Sequence, residues 1–551
     1  MNTPHPSDPP VARPNRPFPW VTLRRVSLGI GTVLLGVATF YGIENLTGWR
    51  RWSVERAAVA RNHTPLELAE IIPPAVPDDQ NLARTEPFPG LFSRNRGPDG
   101  HVSDIDPVAQ TWCSLYSVNG LSSRRPSLGH WADTDEHAHE RTLPLAEWQN
   151  FFREPPRLSM KNVVEARRRL GLPVPSKDSE GASAPAYPVP AVAGPPHEDV
   201  LRALTVFDAQ MAVVTEGTRL PHANFPIAYE DGPAALLPHL AKVKELTMVF
   251  TLRAVARLES GDPEGAFDDL TVALALAESP KEEPLLISQL VRYACLQIAL
   301  QSLWEGQVHH RWSEPQLRMI QDRLAAIDMN PGLRRALADE RIMMTGITRT
   351  ILGSARGRRE MASMLDLMAP NSGNFQDPSN FHELYLFWAP RGWLHASTAE
   401  ISRAIRVLET TAPKDVLALA PNWPPQPPQG PLRYQYYRAY LRPEGDKALI
   451  KFVLKSHRAQ AQARLAQTAC ALERHRLAEG HYPDRLEALV PRWLAAPPVD
   501  PIDLQPLRYT RVGDDRFLLW SVAENGKDDA GSMVPDSNLP LRSPDWAWTW
   551  P

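Results

Sequence analysis

Cysteine is nearly missing from this chain: three in 551 residues, Cys113, Cys295 and Cys470. They are far apart, form no C-x-x-C pair and are odd in number, which excludes a fully paired disulfide framework. Cys295 and Cys470 sit in apolar helical runs and read as small core residues. An excess of one charge is also missing. Sixty Lys and Arg face 63 Asp and Glu, for a net charge of -3. With no basic stripe, nothing argues for nucleic acid as a partner. The familiar catalytic signatures are lacking as well. There is no nucleophile elbow, P-loop, dinucleotide glycine pattern or H-E-x-x-H. The balance therefore favours a protein that is not an enzyme.

Proline is abundant instead. The 56 prolines are about twice the usual share. Each fixes φ and removes an N–H, so many irregular connections are expected. Hydrophobic residues at 43% and charged residues at 22% still allow a sizeable core. The length allows roughly two to four domains.

The longest charge-free run is VSLGIGTVLLGVATFYGI, the 18 residues Val26 to Ile43. That is near the lower limit for one bilayer crossing. Arg24 and Arg25 precede it, and Trp49, Arg50, Arg51 and Trp52 follow. Basic and aromatic rims suit headgroup anchoring. The expectation is a retained transmembrane helix over residues 23–43, with the short tail 1–22 inside and the bulk of the chain outside. Two rival readings are a cleaved signal peptide, with small residues at Gly36-Val37-Ala38, and a buried core helix.

The remaining organisation is expected to be mainly α. Residues 44–172 read as a juxtamembrane and mixed proline-rich region, with helices at Leu145 to Phe152 and Val163 to Leu170. Residues 173–196 form a Pro/Ser/Ala-rich linker that cannot pack a core. Residues 197–412 read as stacked helical hairpins. Within them Gly261 ends one helix, Asp262 caps the next and Pro263 opens it. Ser313 with Gln316 gives a capping-box pattern. Residues 413–447 are a proline-rich connection. A long helix from about Ala448 to Glu479 is expected to stop at Gly480. Alternation about Gly513-Asp514-Asp515 predicts a β-hairpin. A Trp/Pro tail, 534–551, either docks elsewhere or tucks back on the domain.

Few side chains suggest chemistry. His130, Asp133, Asp135, His137 and His139 could ligate a transition metal, but their spacing matches no known pattern and a solvated loop accounts for them. His309-His310 suits a helix C-terminus, where a cation complements the dipole. His222, Phe225 and Tyr229, with Trp304 and Glu305, could line a groove; loop packing explains the same residues. His222 and Glu305 are the weak catalytic candidates.

The turn 261–263 and the small alanines after it resemble the middle of a tetratricopeptide repeat, over about one hairpin. Residues 455–532 resemble the globular end of the major pseudopilins of type II secretion. The resemblance rests on Gly480, Tyr482 and Pro483; Leu486, Leu489 and Val490; Pro498, Asp500 and Pro501; Tyr509; Ser521; and Asp528 with Asp529. It implies a small C-terminal α+β domain over 448–533. It also implies a calcium loop with ligands from Asp528, Asp529 and Asn525, helped by backbone oxygens near Ser521 and Glu524. Two adjacent aspartates alone cannot supply six to eight oxygens. The alternative is a solvated turn in which Asn525-Gly526 takes the left-handed positions. Unlike a pseudopilin, this chain carries its apolar segment about four hundred residues upstream of the long helix, with no prepilin cleavage pattern.

The whole chain resembles a group of membrane-anchored proteins of planctomycete and verrucomicrobial bacteria. The shared stretches are ENLTGWRRW (Glu44 to Trp52), PPAVPDDQN (Pro73 to Asn81), NFPIAYEDGPAALLPHL (Asn224 to Leu240), EPLLISQLVR (Glu283 to Arg292), LWEG (Leu303 to Gly306) and SPDWAWTWP (Ser543 to Pro551). This implies a cell-envelope setting at the bacterial inner membrane and no particular chemistry. Three functions follow as expectations. The first is a single-pass scaffold or adaptor with a protein partner in the envelope. The second is an envelope hydrolase near His222 and Glu305. The third is an accessory component of a type II secretion or pilus-like system.

Overall fold

A computed structural model describes residues 19–92, 106, 109, 112–115, 126–131, 141–153, 187–359, 387–419, 445–523, 526–532 and 545–549. The expected helix at 163–170 and most of the 173–196 linker lie outside these residues. The chain divides into two compact units. One comprises Met1–Ala58, Gly346–Glu400 and Gly430–Leu441; the other comprises Val59–Thr345, Ile401–Gln429 and Arg442–Pro551. Among the described residues the protein is mainly helical, with one three-stranded sheet.

Helix α1 runs from Pro19 to Arg61 without a break. It is long and apolar enough to cross a membrane, and its apolar window buries nothing against the rest of the protein. In the smaller unit α1 meets the start of the helix Arg391–Thr410. Gly48 and Gly392 let the two backbones touch. A Cβ on Gly48 would lie 1.7 Å from the Gly392 carbonyl oxygen, and one on Gly392 would lie 2.0 Å from that of Glu44. Two bonds fix the crossing: Gly392 N–H donates to Asn45 Oδ1 at 2.8 Å, and the Trp393 indole donates to Glu44 Oε2 at 2.9 Å. ENLTGWRRW and the Ala389 to Trp393 stretch are thus two halves of one contact.

The larger unit is built on α2 (Leu145–Arg153), α3 (Pro196–Leu204), α4 (Asp208–Gly217), α5 (Pro238–Ser260), α6 (Pro263–Glu278), α7 (Leu286–Val308), α8 (Glu314–Ala325) and α9 (Asn330–Gly353, its first part). Helices α5, α6 and α7 pack on one another. Gly261, at φ +81°, closes α5 in the left-handed region that a side chain would disfavour. The Asp262 side chain then accepts from Gly265 N–H at 2.9 Å and starts α6 with Pro263 in first place. Arginine–carboxylate pairs join neighbouring helices. Arg253 and Arg257 of α5 both bind Asp269 of α6, at 2.7 and 2.9 Å. Arg292 of α7 grips Glu278 of α6 with two bonds, at 2.9 and 2.8 Å. The capping box at Ser313 and Gln316 forms as expected.

A long helix, Gly445–Glu479, packs against α7 and α8 and ends at Gly480. Beyond it Tyr482 is buried, and Leu486–Leu489 make one 3-10 turn. Strands β1 (Arg508–Val512) and β2 (Arg516–Ser521) pair antiparallel, with Tyr509 opposite Leu519 and Arg511 opposite Phe517. Strand β3 (Trp546–Trp548) adds to the other edge of β2, with Ser521 opposite Trp546 and Leu519 opposite Trp548. Trp546 and Trp548 are buried, so this tail tucks back. Trp548 lies 4.6 Å from Trp131, ring to ring, and Thr549 O accepts from the Trp304 indole at 2.8 Å.

Candidate functional site

His222 and Glu305 occupy different surroundings. The His222 backbone bridges the extended segment before it: its N–H donates to Gln80 O at 3.1 Å and its carbonyl accepts from Leu82 N–H at 2.8 Å. Its exposed side chain faces a cleft of about 560 Å³, shared with Pro73, Leu82, Asn224, Glu278 and Glu282. The cleft wall is held by Asn81, which both donates to Asn224 O and accepts from Asn224 N–H, at 3.0 and 2.8 Å. Glu305 does not line this cleft. It is buried on α7, where Oε1 accepts from Leu143 N–H and from the Gln301 amide, each at 2.8 Å. Burial outweighs those two bonds and pushes its carboxyl up to about 7.

Phe225 and Tyr229 are buried. Phe225 stacks on His239 at 4.2 Å and meets Phe88 edge-on at 5.1 Å. His239 is fully buried, and its Nε2 lies 2.9 Å from Glu283 Oε1. The other oxygen of Glu283 accepts from Ser288 Oγ. Tyr229 and His239 come from the Asn224 to Leu240 stretch, and Glu283 and Ser288 from the Glu283 to Arg292 stretch. These two stretches therefore meet through buried polar groups, a pairing that sequence spacing does not signal. Glu283 is the central acceptor, so this is not the Ser–His–acid order that would activate a serine.

The first residue of β1, Arg508, gathers acidic groups at the end of the sheet. Arg508 Nη1 lies 2.9 Å from Asp500 Oδ2 and 3.2 Å from Asp503 Oδ1, Nη2 binds Asp503, and Nε is 3.9 Å from Asp528. Burial would raise Asp503, yet hydrogen bonds from Arg508 bring it below its usual value. Asp500 is fully buried and also accepts from Ile502 N–H, Ser521 Oγ and Val522 N–H, at 2.9 to 3.0 Å. Asp528 Oδ1 accepts from the Trp520 indole at 2.9 Å and from Ala530 N–H at 3.0 Å. Asp529 uses its backbone, donating to Asp545 Oδ2 at 2.9 Å.

Asp528, one of the expected calcium ligands, already has protein partners in this arrangement. The Arg508 guanidinium stands 3.9 Å from Asp528, and the Asp545 carboxyl is raised by burial and also by the charges of Asp529 and Asp528. Asn525 lies outside the described residues. Among the described residues no group of three or more His, Cys, Asp or Glu is placed to hold a metal ion. Of the acidic–His stretch only His130 is described; it lines a second cleft of about 470 Å³ with Trp131 and Lys244. Asp133, Asp135, His137 and His139 lie outside the described residues. His309 follows α7, and His310 Nδ1 lies 2.9 Å from Glu473 Oε1. All three cysteines are buried, free, and raised in pKa by burial, so none is poised as a nucleophile.

Comparison with family models, curated proteins and solved structures finds no match to this chain.

Proposed function

We propose that the protein is a single-pass scaffold or adaptor of the bacterial inner membrane, with its bulk outside the cytoplasm and a protein partner in the envelope. The observation that carries the anchor is the exposure of the apolar run on α1, where Leu28, Val33, Leu34 and Leu35 are each at least 63% exposed. Water tolerates such a surface poorly, whereas a bilayer core requires it. The scaffold role is supported by how the polar groups are spent. Glu305, Glu283, Asp500 and Glu473 bind neighbouring helices and loops, which leaves a framework of α5, α6 and α7 with an open cleft at His222. Gly261, Asp262 and Pro263 support reading α5 and α6 as a tetratricopeptide-like hairpin.

A second reading, as an accessory of a type II secretion or pilus-like machine, draws on the order of elements after Gly445. A long helix, Tyr482, one 3-10 turn, Asp500 and an antiparallel hairpin follow one another as in a pseudopilin cap. In-cell crosslinking with mass spectrometry tests both. A specific envelope protein is expected among the crosslinked peptides of the cleft region; secretion subunits would favour the second reading, and no specific partner would end the scaffold proposal. Alkaline carbonate extraction checks the anchor: the full chain should stay with the membrane pellet.

A further inference from the structure

The apolar surface of α1 does not stop where the charge-free run stops. Ile43, Leu46 and Trp49 are 58, 62 and 57% exposed. In the same compact unit a second apolar surface stands beside the end of the run. Phe387 and Trp388 are 58 and 64% exposed, unusual for adjacent large aromatics. The Tyr41 hydroxyl donates to the Trp388 carbonyl, which ties this segment to α1. Tyr41 is two residues from Ile43, the last residue of the run. If the run spans the bilayer, Trp388 stands at the boundary between hydrocarbon and headgroups.

One cation is placed directly against these aromatics. The Arg358 guanidinium lies 5.4 Å over the Phe387 ring. Arg349, Arg356, Arg359 and Arg391 belong to the same unit and are exposed. Arginine forks suit phosphate geometry, and tryptophan and tyrosine favour the headgroup layer. We propose that Phe387, Trp388 and Trp49 are set into the headgroup layer of an anionic bilayer, with the arginines on lipid phosphates. The unit is then a second, in-plane contact with lipid beside the span. This rests on the anchor reading above. A protein partner is the competing occupant; continuity with the apolar run on the same unbroken helix favours lipid.

The test uses the full chain in nanodiscs of phosphatidylcholine with phosphatidylglycerol. Because Cys113, Cys295 and Cys470 are buried, a nitroxide can be directed to Leu34→Cys or, separately, to Phe387→Cys. Collision with oxygen and with a water-soluble nickel chelate reports depth. The Leu34 label is expected in the hydrocarbon and the Phe387 label at headgroup depth. Replacing Arg349, Arg356 and Arg359 by Gln should move the Phe387 label outward. A Phe387 label as open to nickel as in water, with Leu34 still in hydrocarbon, overturns this inference and leaves the anchor standing. A Leu34 label in water overturns both. A Phe387 label shielded from nickel and oxygen alike overturns it in favour of a protein occupant.

Discussion

Two buried glutamates in the larger unit are driven in opposite directions. Glu305 on α7 is 4% exposed and its carboxyl is pushed up to about 7. Glu473 on the long helix is 1% exposed, and its carboxyl falls to about 2. Burial raises both. The difference lies in the donors. Glu305 accepts from an amide side chain and a backbone N–H. Glu473 is bonded to His310, to Arg476 at 2.6 and 3.0 Å, and to the Tyr482 hydroxyl at 2.5 Å. Charged donors favour the carboxylate far more than neutral ones do. A buried acid in this protein is therefore read from its partners and not from its depth.

That contrast can be broken experimentally. Glu473→Ala should produce the largest effect, a loss of about 3–5 kcal/mol, because it strands Arg476 and Tyr482. The urea midpoint would record it, and a loss below about 1 kcal/mol would mean Glu473 is not the hub. The depressed carboxyl also fixes a sign: its contribution is full above about pH 4.5 and fades as pH falls towards 2.

Glu305 should behave oppositely. Its raised carboxyl gives stability that is present below about pH 4.5 and lost as pH rises through about 7. Glu305→Gln keeps an acceptor and cannot ionise. It should match the native chain at pH 5 and exceed it by up to about 3 kcal/mol at pH 8, seen as a difference in Tm. A difference that stays flat from pH 5 to 8 contradicts the assignment.

Arg508→Ala extends the comparison to the final loop. It leaves Asp500 buried without its cation and should cost about 2–3 kcal/mol. The smallest expected effect is that of calcium. Chelation should leave the Tm of the full chain unchanged, and Asp528→Asn should cost less than about 1 kcal/mol, since that side chain is half exposed. A fall in Tm on chelation, abolished by Asp528→Asn, would restore a metal to the loop.

Much of the local structure could be read from the sequence. Gly261 with Asp262 and Pro263, Ser313 with Gln316, Gly480, and the register about Gly513 all obey rules acting within a few residues. The apolar run on α1 is equally visible. The pairings were not: Asn81 with Asn224, His239 with Glu283, Glu44 with Trp393 and Trp304 with Thr549 join distant segments, and spacing is silent about them. The final loop shows the same limit. Asp528 was visible as a carboxylate, but Arg508, its neutralising neighbour, looked like an ordinary strand residue. Residue type alone marks both His222 and Glu305, yet one faces a cleft and the other is sealed in the core.

The bond from Trp304 to Thr549 spans 245 residues of sequence. Closing so long a loop is entropically costly, and contacts of that separation slow folding. The clasp of Trp131, Trp548 and Trp304 should accordingly form late, after α5, α6 and α7 have docked, so recovery of near-UV tryptophan ellipticity should lag recovery of helix in refolding. Until then that edge of β2 stands unpaired, with its backbone groups open to pairing with another chain.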